Sequence, residues 1–182
     1  NIVPIIINKR KNFPFLKDAS TYMFVKMYNK RDKSEKSEYA LIEIPSGQVD
    51  RIITLPSSDK KKYLIMLDDI IRYNLPQVFS IFNYDTIEAY NIKVTRDAEL
   101  DIDEDISKSL VDKLSKGIKN RQVGEPVRFV YDDQMPRDMR LLIEKKMKLQ
   151  KSDNLIPGGR YHNFKDYIAF PQIGNSKLLN PS

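Results

Sequence analysis

Residues 157–167 read PGGRYHNFKDY, with Gly158 and Gly159 followed by Arg160, His162 and Lys165, which are set between Tyr161, Phe164 and Tyr167. A glycine pair tolerates positive φ and lets backbone approach a ligand closely, and the cationic side chains behind it are charged donors for an anion. The segment reads as an anion-facing turn. His162 is the one histidine in the chain. It could act as a phosphoryl acceptor or general acid beside Arg160 and Lys165, but there is no second histidine for a relay and no GxSxG or HExxH arrangement. A lone histidine among aromatics is more often a hydrogen-bonding structural residue. The six glycines contain no GxxxxGK loop followed by Ser or Thr, so a complete nucleotide site is not visible.

Two further arginines fall on predicted strands. Tyr90, Ile92 and Val94 alternate with Asn91, Lys93 and Thr95, and continuing that period puts Arg96 on the apolar face, where it needs a partner. Val127, Phe129 and Tyr131 share one face of the next strand, which leaves Arg128 on the other.

Several other elements position these residues. Met23, Val25 and Met27 alternate with Tyr22, Phe24, Lys26 and Tyr28 in strand fashion. A nearly continuous apolar strand, 39–44, stops at the turn signal Pro45, Ser46 and Gly47, and a short run from Ile52 to Leu55 is ended by Pro56, suggesting a hairpin or meander. Residues 63–67 form another buried strand. Asp68 is placed to cap a helix carrying Ile70, Ile71, Leu75, Val78 and Phe79, which Pro76 shortens or kinks. The acidic stretch Asp101, Asp103, Glu104 and Asp105 has Ile106 where a calcium loop needs glycine. It fits better at the N-terminus of a helix on which Ile106, Leu110, Leu114 and Ile118 recur. Pro136 opens a helix with the apolar stripe Met139, Leu142, Ile143 and Met147 and a basic outer face, and Asn163 is positioned to cap a last short helix before Pro171. Strands come first, then helix and strand alternate. The expectation is α+β, a single domain with a mixed or mainly antiparallel sheet and about four helices. Tyr22, Phe24 and Phe170 are read as apolar surface available to neighbouring domains.

A chain of 182 residues is enough for one substantial domain. Hydrophobic residues at 41% and charged residues at 31% fit a globular protein, and no apolar run reaches the ~20 residues of a membrane span. Without cysteine, disulfides and thiolate metal sites are excluded, and one histidine leaves zinc without its usual ligands. The net charge of +6 is local: residues 9–36 hold 9 Lys/Arg against 3 Asp/Glu, which leaves 22 against 22 elsewhere. Lys30, Arg31, Lys33 and Lys36, diluted by Asn29, Ser34 and Ser37, read as a solvated loop, with a polyanion-attracting patch as the sharper alternative.

Several collinear blocks resemble the middle, or head, domain of the long-chain polyphosphate kinases: YALIEIP at 39–45, LDDIIRY at 67–73, TRDAE at 95–99, EPVRFVY at 125–131, MP at 135–136 and PGGRYHNFKDY at 157–167. The similarity runs from Val3 to the FPQIG segment at 170–174. The resemblance implies a domain, residues 1–182, excised from an enzyme that reversibly transfers the terminal phosphate of ATP to polyphosphate through a phosphohistidine. It also implies that an N-terminal helical domain and the C-terminal catalytic domains lie outside the fragment. ATP and magnesium belong to that parent enzyme, with no cofactor bound by this domain alone. No residue here matches the acceptor histidine, so the fragment by itself is expected to be inactive.

The resemblance further implies that the domain helps form the polyphosphate tunnel and the contacts between domains and between the copies of a homo-oligomer. The parent is expected to be bacterial and cytoplasmic, open to peripheral membrane association. Arg96, Arg128, Arg160, His162 and Lys165 are the candidate polyphosphate contacts, because guiding a polyanion takes several donors in sequence rather than one clamp. The plainer alternative pairs Arg96 with Asp97 or Glu99 and leaves Arg160 and His162 bracing a turn. Two rival classes are a self-sufficient phosphohistidine phosphatase-like transferase using His162 and a basic nucleic-acid-binding module. The ten tyrosines and the net charge suggest the latter, but no RNA-binding aromatic signature accompanies them.

Overall fold

The computed structural model describes residues 2–7, 13–31, 36–58, 60–96, 126–149, 154–161, 167–168, 170–171 and 173. The chain divides into two compact units, the first made of Asn1–Glu43 and Tyr84–His162, the second of Ile44–Asn83 and Asn163–Ser182. The predicted acidic helix after residue 101 and the cap at Asn163 lie outside the described residues.

The first unit is built on a mixed six-stranded sheet. Its strands are β1 (Pro4–Ile6), β2 (Thr21–Tyr28), β3 (Glu38–Glu43), β6 (Thr86–Arg96), β7 (Pro126–Asp132) and β8 (Asn154–Gly158), in the order β1-β3-β2-β6-β7-β8. All neighbours are antiparallel except β7 and β8, which pair in parallel. The second unit holds the antiparallel pair β4 (Ile52–Leu55) and β5 (Tyr63–Met66), then α1 (Leu67–Tyr73) and α2 (Leu75–Val78). The fold is α+β, as the order of elements predicts.

A parallel pair needs a crossover, and α3 (Arg137–Met147) supplies it between β7 and β8. Pro136 stands at the N-cap of α3 in extended backbone, and Lys148 ends the helix in the left-handed region at φ 56, with the Leu149 N–H donating to the Glu144 carbonyl at 3.0 Å. The helix lays Met139 and Ile143, both fully buried, on the sheet face that carries Tyr22, Phe24, Tyr39, Leu41, Ile92, Val94, Phe129 and Tyr131. The rings of Phe24 and Tyr39 stack at 5.7 Å, and those of Phe129 and Tyr131 at 6.1 Å. Burying these rings and branched chains against α3 is the main stabilisation of the unit, since each large apolar side chain removed from water contributes about 1.5–3 kcal/mol.

β2 departs from the alternation expected of a strand with one wet face. Met23, Val25 and Met27 are as inaccessible as Tyr22 and Phe24, so both faces of β2 are buried and the strand is apolar nearly throughout. Tyr22 and Phe24 therefore do not form an outward apolar surface; Phe24 has no exposed area and stacks in the core. Phe170, by contrast, is 46% exposed.

The second unit corrects the expected cap. Met66, not Asp68, occupies the N-cap of α1, because the Asp68 carboxylate is used elsewhere: it lies inside the first turn, buried, and accepts two hydrogen bonds from Arg51. The helix expected over residues 70–79 is broken at Asn74, whose side-chain amide donates to the Ile70 carbonyl at 2.7 Å, and Pro76 falls in the first turn of α2, where a missing N–H costs little.

Candidate functional site

The face of the first sheet opposite α3 carries Arg128, and the main chain of Arg160 is tied to it. Along β6 the residues on that face are Asn91, Lys93 and Thr95; along β7 they are Arg128, Val130 and Asp132. Arg128 pairs in register with Thr95 on one side and Asn154 on the other, and its side chain is exposed. Lys93 pairs with Val130 and is half-buried.

Beyond β8 the chain turns back across this face. The Asp133 N–H donates to the Gly158 carbonyl at 2.9 Å, and the Asn91 side-chain amide donates to the Arg160 carbonyl at 2.9 Å. Asn91 itself is wholly buried. The Arg160 backbone is thus tied to β6, while its side chain is exposed and its guanidinium lies over the Tyr161 ring at 5.8 Å. Asp132, where β7 ends opposite Gly158, is four residues from Arg128, or about 13 Å at about 3.3 Å per residue. Arg128, Lys93 and the main chain of Arg160 therefore follow one another along the strand direction on one face. Such a row suits an extended polyanion better than a single phosphate, which a tight cluster would hold.

The glycine pair does not use the positive φ that its composition allows. None of the described glycines has positive φ: Gly158 closes β8 as ordinary extended backbone beside Asp132, and a Cβ placed on Gly159 would meet nothing within 4 Å. The segment becomes the sixth strand because parallel pairing with β7 satisfies its backbone groups. The alternation that was to bring Arg96 to the apolar face is interrupted as well, since the β6–β7 register shifts between Thr95 and Arg96, and a bulge resets which face the next residue takes. The Arg96 side chain, His162 and Lys165 lie outside the described residues. Of the five cationic candidates, Arg128 and Arg160 are those whose side chains the structure places.

Asn91 and Lys93 were not anticipated as site residues. Both occupy the polar positions of an alternating strand, which ordinarily face water, while Asn91 donates to the chain returning beyond β8.

The basic loop after β2 is pinned at its root. The Lys30 N–H donates to Asp85 at 3.0 Å, the Asp85 N–H donates to the Asn29 side-chain oxygen at 2.8 Å, and the Thr86 hydroxyl donates to Asp85 at 2.6 Å. The Thr86 hydroxyl, the Lys30 N–H and the neighbouring charges of Arg31 and Lys30 hold the Asp85 carboxyl below its ordinary value, although the little desolvation there opposes them. Close by, Tyr28 donates to Glu88 at 2.6 Å, and that bond, with burial and the Glu88 charge, pushes the phenol up to about 12. Carboxylates thus offset part of the positive charge at this end. Among the described residues no group of three or more His, Cys, Asp or Glu could hold a metal ion.

These features define an α+β module with cations spaced along one sheet face. A family model described as the polyphosphate kinase middle domain matches residues 1–170. The chain is 43% identical over 184 residues to a polyphosphate kinase of Yersinia pestis and 41% identical to that of Escherichia coli K12, in each case covering 99% of this chain and 26% of the relative. The crystal structure of a polyphosphate kinase from Porphyromonas gingivalis matches 100% of the chain and 25% of its own length, with a TM-score of 0.72 and 26% identity. The chain belongs to the polyphosphate kinase family and corresponds to its middle domain. It spans about a quarter of the length of the relatives it matches. Among the described residues no helix is long and apolar enough to cross a membrane.

Proposed function

We propose that this domain serves an enzyme that reversibly transfers the terminal phosphate of ATP to inorganic polyphosphate through a phosphohistidine, and that its part is to line the polyphosphate path. The observation that carries the reading is the placement of exposed Arg128 and Arg160 at opposite ends of the β7–β8 pair, with Lys93 between them. A polyphosphate chain presents charge at every unit, so cations spaced along a strand meet it repeatedly, and no single one holds it tightly enough to stop its movement. Arginine offers forked contacts to phosphate oxygens and lysine a point charge. The phosphohistidine belongs to other domains of that enzyme, and His162 is not assigned its role. ATP and magnesium act there too, and no step of this domain's role runs through the metal. The remaining domains of the polypeptide and a second copy are the expected partners, with a cytoplasmic location for the whole.

In the full-length protein, Arg160→Ala is expected to shorten the polyphosphate product while leaving the fold intact. Unchanged product length with normal activity would remove Arg160 from the path.

A further inference from the structure

We propose that Asn91 is a positioning residue that sets Arg160 for contact with the polyanion, an inference that rests on the reading of Arg160 as a polyphosphate contact. Asn91 is a fully buried polar side chain in the middle of the longest strand of the sheet, where an apolar residue would pack at lower cost unless the amide were hydrogen-bonded. Its amide donates to the Arg160 carbonyl, 69 residues further along the chain. Asp133, just after β7, holds Gly158 through a backbone hydrogen bond. Between these two ties there is a single residue, Gly159, for which nothing within 4 Å demands a missing side chain. The two hydrogen bonds thus tie the main chain on either side of Gly159. Both ties act on main-chain carbonyls and leave the Arg160 guanidinium exposed. A cation delivered from a fixed backbone pays less ordering entropy on meeting its ligand, so Asn91 raises affinity without touching the ligand.

The test is a double-mutant cycle on polyphosphate binding by the full-length protein, with Asn91→Leu and Asn91→Asp each made alone and with Arg160→Ala. Asn91→Leu removes the donor at nearly the same volume without burying a charge, whereas Asn91→Asp keeps the side-chain shape but puts a carboxyl that must be protonated or paired in a buried site, so the two changes perturb the fold in different ways. The expected result is a loss of affinity of about three- to tenfold from either Asn91 change when Arg160 is present, the range of one lost hydrogen bond, and no further loss when Arg160 is already alanine. An Asn91 effect of equal size in both backgrounds, or no Asn91 effect while Arg160→Ala weakens binding, overturns the positioning role. If Arg160→Ala itself leaves affinity unchanged, the failure lies in the reading of Arg160 as a contact. A thermal melt of each variant separates any loss of fold from the binding readout.

Discussion

Arg51 and Asp68 form a two-pronged ion pair in the interior of the second unit. Nε and Nη2 of Arg51 each donate to one carboxylate oxygen of Asp68 at 2.8 Å, with 3% and 0% of the two side chains exposed. The Arg51 carbonyl also accepts from the Leu67 N–H at 2.8 Å, so one residue ties the start of β4 to the first turn of α1 through both backbone and side chain. The planar guanidinium matches the carboxylate geometry in a way that lysine cannot.

Breaking this pair from one side leaves the buried Asp68 carboxylate without its guanidinium. Arg51→Leu should therefore destabilise the protein by about 3–5 kcal/mol, and the joint change Arg51→Leu with Asp68→Leu should recover much of that loss. Denaturant unfolding of the single and double variants checks this. A single variant as stable as the parent would show that the pair is not buried in solution.

The apolar stripe of α3 makes a second prediction. Ile143 is fully buried against Phe129 and its neighbours, while Leu141 on the same helix is 47% exposed. Ile143→Ala should cost about 2–5 kcal/mol and Leu141→Ala less than about 0.5 kcal/mol. Equal effects in urea unfolding would mean that the helix faces the sheet differently.

Lys26 and Asp138 join β2 to the first turn of α3 at 2.5 Å. Burial lowers the Lys26 ammonium, but the hydrogen bond and charge of Asp138 outweigh it and raise the group above its ordinary 10.5. Burial raises the Asp138 carboxyl, but the Lys26 hydrogen bond and charge, with backbone N–H groups, outweigh it and hold the group below its ordinary 3.8. The depressed carboxyl contributes stability that is present above pH 3.8 and lost as pH falls through its lower folded value. The raised ammonium contributes stability that is present below pH 10.5 and lost as pH climbs through its higher folded value. Asp138→Asn should thus reduce stability at neutral pH and flatten both limbs of the stability–pH curve. Limbs that keep their slope in the variant would assign them to other groups.

Much of the sheet is legible in the sequence because β-branched and aromatic runs bounded by Pro, Gly and Asn leave few alternatives. The strands carrying Phe24, Leu41, Ile92 and Phe129 were expected, as was the Met139 and Ile143 face of α3. The site is less legible. Asn91 sits at a position that alternation assigns to solvent, yet it is buried and its amide donates to a carbonyl 69 residues away, beyond the reach of any local pattern. Asp68 has the residue type and place of a helix cap, yet Arg51, 17 residues before it, claims the carboxylate. Gly158 and Gly159 suggest a turn by composition, while parallel pairing with β7 makes Gly158 the end of a strand. In each case a long-range partner decided between local options of similar cost.

The central claim is that Arg128 and Arg160 meet polyphosphate. The most direct measurement is a titration of polyphosphate into the full-length protein at low and moderate salt, beside a variant carrying Arg128→Ala and Arg160→Ala whose fold is verified by its melting profile. The account predicts binding that weakens with salt in the parent, and in the variant a lower affinity with a shallower salt dependence, because two charged contacts have been removed. Equal affinity and equal salt dependence in the two proteins would contradict it.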